Sequence, residues 1–146
     1  MIEYCLGFVY DSSLASVVLI QKEAGLHVGM WNGLGGKVEE GETPLEAMRR
    51  EYSEEAPGYE MGEWDLIGFI NGDRWQVHVF AAVDTDCVDT LTASDILRHG
   101  NTPQVAQVLL EGIDKLSLAP HTKEFINFGI YYFTADDGAL LTITGG

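Results

Sequence analysis

Glu51, Glu54 and Glu55 stand at i, i+3 and i+4 in the chain. On a helix that spacing projects three carboxylates from nearly one face, close enough to repel one another. Unless water screens them fully, such groups take up protons or recruit a cation. Oxygen-only ligands suit a hard ion such as Mg²⁺ or Mn²⁺, and Mg²⁺ commonly links protein carboxylates to substrate phosphates. Taken alone, the trio also fits a solvated acidic face, so its surroundings have to decide.

The element that must hold the trio is marked in the sequence. Thr43 offers a capping hydroxyl, Pro44 suits the first helical position, and Glu46 stands three residues after the cap, which together read as a helix start. Pro57 and Gly58 supply the stop. Leu45, Met48, Tyr52 and Ala56 recur at spacings of three and four, an apolar stripe expected to face a sheet. Ala47, Arg50, Glu51, Glu54 and Glu55 lie away from that stripe.

The sheet is predicted from several segments. Residues 2–10 and 14–22 are rich in β-branched and aromatic types around the turn formers Asp11, Ser12 and Ser13, which reads as a hairpin. Residues 64–70 and 75–83 read as strands joined at Asn71, Gly72 and Asp73. Residues 84–104 read as a long loop, 105–110 as a strand, 121 to about 133 as a second helix with Phe125, Ile126 and Ile130 inward, and 139–144 as a short strand or frayed tail. Gly25, Gly29, Gly33, Gly35 and Gly36 punctuate the stretch before the first helix; repeated glycines there suggest close backbone approach, and the loop is a candidate binding surface.

From Gly36 there are five residues to Glu42, then seven to the run Arg50, Glu51, Tyr52, Ser53, Glu54, Glu55. This spacing resembles the Nudix box of the Nudix hydrolases, G-x5-E-x7-R-E-U-x-E-E-x-G-U with U a bulky apolar residue. One position departs from it: Pro57 stands where the pattern has glycine, and the glycine follows at Gly58. The resemblance implies an α/β/α sandwich with a central mixed sheet and hydrolysis of a nucleoside diphosphate linked to another group. It also implies that Glu51, Glu54 and Glu55 are metal ligands, one of them activating water. Arg50 would orient a carboxylate, Glu42 would fix the loop, and the Gly35 carbonyl would be a further ligand.

Upstream, Trp31, Asn32 and Gly33 are similar to a motif of the Nudix subgroup that removes oxidised purine nucleoside triphosphates. By that likeness Asn32 contacts the base and Lys22 approaches the phosphates. Val77 to Phe80 resembles a strand of the same subgroup. Two positions differ: His121 and Thr122 follow Pro120 where the subgroup carries two aspartates, and Asp95 is the nearest substitute for its later glutamate ligand. Trp31 is a candidate base-stacking platform or a core anchor, the more common role for a tryptophan. His121 is the candidate substrate contact among four histidines that show no zinc spacing.

Composition bounds what remains. With 146 residues the chain is expected to be one domain over 1–146. Asp and Glu number 23 against 8 Lys and Arg, a formal net charge of −15. Such a field disfavours nonspecific nucleic-acid and membrane-surface binding, although bound metal inverts it locally and lets an acidic protein handle an anionic substrate. Cys5 and Cys87 are too few for a disulfide framework, and the apolar runs are too short for a membrane span. A reducing cytoplasm is the default, and a homodimer stays open. The expected activity is Mg-dependent cleavage of a nucleoside triphosphate, such as the oxidised purine 8-oxo-dGTP, to monophosphate and pyrophosphate. The alternatives are another nucleotide substrate (ADP-ribose, NADH, a capped RNA) or a noncatalytic binding module.

Overall fold

The computed structural model describes residues 1–23, 26–56, 63–84, 90–94 and 105–145. The alternation of β1 (Ile2–Asp11) decides the architecture. Phe8 and Tyr10 point to one face of the sheet and Cys5 and Val9 to the other, and all four are buried. A strand buried on both faces must lie at the centre of a sheet covered on both sides.

β1 pairs antiparallel with β2 (Ser16–Gln21) and parallel, in unbroken register from Ile2 opposite Trp75 to Asp11 opposite Asp84, with β6 (Trp75–Asp84). β6 pairs with β5 (Asp65–Asn71) as the predicted hairpin, and β5 pairs parallel with β9 (Leu141–Thr144). On the other flank β2 pairs with β8 (Val105–Leu109), and β8 with β7 (Thr90–Leu91). The sheet runs β7-β8-β2-β1-β6-β5-β9, while β3 (Trp31–Asn32) joins β2 and β4 (Leu34–Lys37) joins β1. The short strand β7 lies inside the stretch expected to be loop. It carries two residues, and a strand that short shows no alternation to read.

Helix α1 (Pro44–Glu55) covers one face, packing Met48 and Tyr52 against Cys5, Val9, Leu34, Trp64 and Phe80. Its capping box is complete: Thr43 Oγ1 accepts from the Glu46 N–H at 3.1 Å, and Glu46 Oε1 accepts from the Thr43 N–H at 2.9 Å. Ala47 was expected off the packed stripe and is instead fully buried. The helix lies against both β1 and β4, so its contact face is wider than one line of residues, and a methyl group permits close approach. The expected stop at Pro57 and Gly58 lies outside the described residues.

Helix α2 (Thr122–Ala135) covers the other face with Phe125 and Ile126, while Ile130 is partly buried beside them. Tyr10 Oη reaches from β1 through this core to donate to the Ile126 carbonyl at 2.6 Å. No helix among the described residues is long and apolar enough to cross a membrane. Cys5 is a free buried thiol, pushed up to about 11 mainly by burial, and Cys87 lies outside the described residues.

Candidate active site

Where β3 and β4 join the sheet, the first strands and the end of α1 line an open cavity of about 420 Å³. Its lining includes Leu6, Ile20, Ile70 and Val77 as apolar surface and Lys22, Asn32 and Glu55 as polar groups. That size and mixture suit a nucleotide-sized ligand.

Glu55, at the last turn of α1, is half-buried, and its Oε1 accepts from the Gly35 N–H at 2.8 Å. Burial pushes its carboxyl up to about 7, with the Gly35 hydrogen bond and Lys22 opposing and the charges of Glu51 and Glu54 adding to the rise. Glu51 lies against Gly36, where a Cβ would collide with its carboxylate. A Cβ on Gly35 would instead strike the Cys5 carbonyl across the β1–β4 ladder. The consecutive glycines thus do separate work: one lets two strands pair, the other makes room for a carboxylate.

Arg50 is a hub. It binds Glu42 through two hydrogen bonds of 2.9 and 2.8 Å, donates to Glu51 Oε1 at 3.0 Å and to the Lys37 carbonyl at 3.1 Å, and lies 3.6 Å from Glu54. The hydrogen bonds from Arg50 hold Glu42 well below the usual carboxylate range, at about 2. A two-pronged guanidinium–carboxylate pair fixes both partners, so Arg50 orients Glu51, and Glu42 anchors the loop between β4 and α1.

The carboxylates do not converge: among the described residues no group of three His, Cys, Asp and Glu forms a metal-ligand set. The donors nonetheless fit a hard divalent ion in kind, being all oxygen, and the burial and negative neighbours that push the Glu55 carboxyl up are what a bound cation would offset.

Other expected site residues are spread. Lys22 lines the cavity, close enough to Glu55 to act on its titration. Trp31 is buried to 2% exposure in the core on the α2 side, away from the cavity lining, with its backbone tied to Ser117 and Ala119; its observed place is that of an anchor for Asn32. His121 sits at φ 68 before α2 with Nδ1 3.3 Å from Glu124 Oε2, while its neighbour Pro120 lines the cavity. Asp95 lies outside the described residues. Sequence reasoning passed over Thr122, whose hydroxyl reaches Asn32 Oδ1 at 3.0 Å. Its position was noticed only for the aspartate it lacks.

The NUDIX domain family model matches residues 5–126. The chain belongs to the NUDIX domain family. Within it, the oxidized purine nucleoside triphosphate hydrolase of Mus musculus is 38% identical over 72 residues, and that of Danio rerio 40% identical over 72. Each match covers 45% of this chain and 46% of the relative, so under half the length of each protein is compared. Among solved NUDIX folds, a MutT protein from Bacillus halodurans superposes with a TM-score of 0.68 at 22% identity, covering 99% of this chain and 88% of that one. The NUDIX domain of Shewanella oneidensis NrtR, crystallised with ADP ribose, superposes with a TM-score of 0.72 at 14% identity, covering 92% and 89%.

Proposed function

We propose that this NUDIX domain is a pyrophosphohydrolase of purine nucleoside triphosphates that depends on Mg²⁺ or Mn²⁺ and releases a monophosphate and pyrophosphate. The observation that carries the reading is the Glu55 carboxylate, held on the Gly35 N–H at the wall of a cavity that Asn32 and Lys22 also line. The activity for which the matched relatives are named supports the substrate class.

Glu51, Glu54, Glu55 and the Gly35 carbonyl would hold the ion, which supplies positive charge for the phosphates and acidifies the attacking water. Lys22 meets the phosphates as a cation. Arg50, engaged by Glu42, Glu51 and the Lys37 carbonyl, holds Glu51 in place and leaves phosphate binding to other groups. Glu55, the member of the trio that lines the cavity, takes the proton from the attacking water. Asn32 contacts the base over an apolar surface.

Release of phosphate or pyrophosphate from a nucleotide panel, with and without Mg²⁺, tests this. Metal-dependent pyrophosphate release from purine triphosphates is expected; rapid cleavage of ADP-ribose with neither purine triphosphate turned over would overturn it. Because His121 and Thr122 replace the two aspartates of the resembled subgroup, 8-oxo-dGTP and dGTP are expected to differ less than about tenfold in kcat/KM, roughly 1.4 kcal/mol. A hundredfold preference would show that other residues read the oxidised position.

A further inference from the structure

Asn32 is half-buried in the cavity wall, and its side-chain oxygen is occupied twice. The Gly33 N–H donates to Oδ1 at 2.8 Å, and the Thr122 hydroxyl donates to the same atom at 3.0 Å. A backbone N–H can only donate, so the atom it meets is the amide oxygen and not the nitrogen. With both lone pairs of Oδ1 engaged, Asn32 keeps for a ligand only Nδ2–H₂, a pair of donors. The amide alone could donate or accept; in this setting it donates. Thr122 is itself fixed, 1% exposed in the first turn of α2, with its N–H bonded to the Ala119 carbonyl at 3.1 Å.

We propose that Thr122 is a positioning residue for base selection: by locking Asn32 it makes the cavity present a donor, and so favour a 6-oxopurine over a 6-aminopurine nucleotide. This rests on the purine triphosphate reading above. A guanine edge offers adjacent acceptors at O6 and N7, whereas adenine replaces one with an amine donor. Against an adenine amine the Asn32 amide sets donor to donor, and a polar group left unpaired beside the apolar lining of Leu6, Ile20, Ile70 and Val77 is costly.

The test uses the full chain with Mg²⁺. The kcat/KM values for GTP and ATP and the Kd values for GMP and AMP are measured, and the Asn32 side-chain NH₂ signals are followed by ¹H–¹⁵N NMR. The wild type is expected to prefer guanine by about tenfold or more, and Thr122→Val, which keeps the shape and loses the hydroxyl, to fall to about twofold. The change should fall on KM more than on kcat. Thr122→Ser restores the preference, and the wild-type NH₂ signals move with GMP more than with AMP. A guanine preference that survives unchanged in Thr122→Val overturns the role of Thr122 while leaving the purine reading intact. Should the wild type bind neither monophosphate, the purine reading fails and the proposal falls with it. If Thr122→Val does not fold, the wild-type NMR decides: equal movement of the NH₂ signals with GMP and AMP, or none with either, overturns the proposal.

Discussion

The Glu55 carboxylate accepts a hydrogen bond from the Gly35 N–H at 2.8 Å, joining the end of α1 to β4 across 20 positions of sequence. It ties a carboxyl that burial pushes up to about 7 to the backbone of the glycine strand. Glu55→Gln keeps an acceptor for that N–H and removes a charge from a half-buried place, so the melting temperature should not fall. Turnover should fall by at least roughly a hundredfold, the scale expected when a metal ligand or general base is lost. Equal turnover of wild type and variant in a pyrophosphate-release assay would refute the assignment.

Metal removal gives a second check. EDTA-treated protein should lose turnover of a purine triphosphate and regain it with Mg²⁺ or Mn²⁺, because phosphate charge inside an acidic cavity needs a cation to offset it. Full activity in EDTA would contradict this.

The two cavity glycines should separate activity from stability. Gly36→Ala drives a methyl into the Glu51 carboxylate, the movable end of a side chain, so activity should drop while the melt shifts little. Gly35→Ala drives it into the Cys5 backbone carbonyl, which cannot give way without opening the β1–β4 ladder, so a loss of about 1–3 kcal/mol is expected. Denaturant unfolding of both variants beside their turnover distinguishes the two effects, and the same loss of stability in both would argue against this division.

Thr43→Ala removes one half of the α1 capping box and should cost about 1 kcal/mol. A thermal melt displaced downward, with the metal requirement retained, is the expected result.

Asp11 sets an acid limit on stability. Burial alone would raise its carboxyl, but hydrogen bonds from Ser13, Ser16 and Ala15 outweigh it and hold the group at about 2, below its ordinary 3.8. A depressed folded-state value means that the contribution is complete above pH 3.8 and is lost as pH falls toward 2. Asp11→Asn should therefore melt below the wild type at neutral pH, and the gap should narrow between about pH 4 and pH 2. A gap that stays constant with pH would show that the carboxylate charge has no part in holding the first hairpin.

Local chemistry by itself determined the parts of this protein that depend on neighbours in sequence. The helix start at Thr43 follows from a hydroxyl, a proline and a glutamate within four positions, and the unbroken run without polar residues from Cys5 to Tyr10 in β1 fits a strand buried on both faces. The spacing of Gly36, Glu42, Arg50, Glu51, Glu54 and Glu55 was legible for the same reason, since one helix and the loop before it carry the whole pattern. What only the tertiary structure decided is how groups far apart in the chain divide their hydrogen bonds. Trp31 and Asn32 are adjacent in sequence, but strand alternation sends one into the core and the other to the cavity. Ala47 is buried because α1 rests on two strands at once, which no single helical stripe reports. Thr122 reaches Asn32 across 90 positions, and no periodicity encodes that contact. It exists because α2 and β3 are brought together by packing, and packing turns an amide that could donate or accept into one that donates.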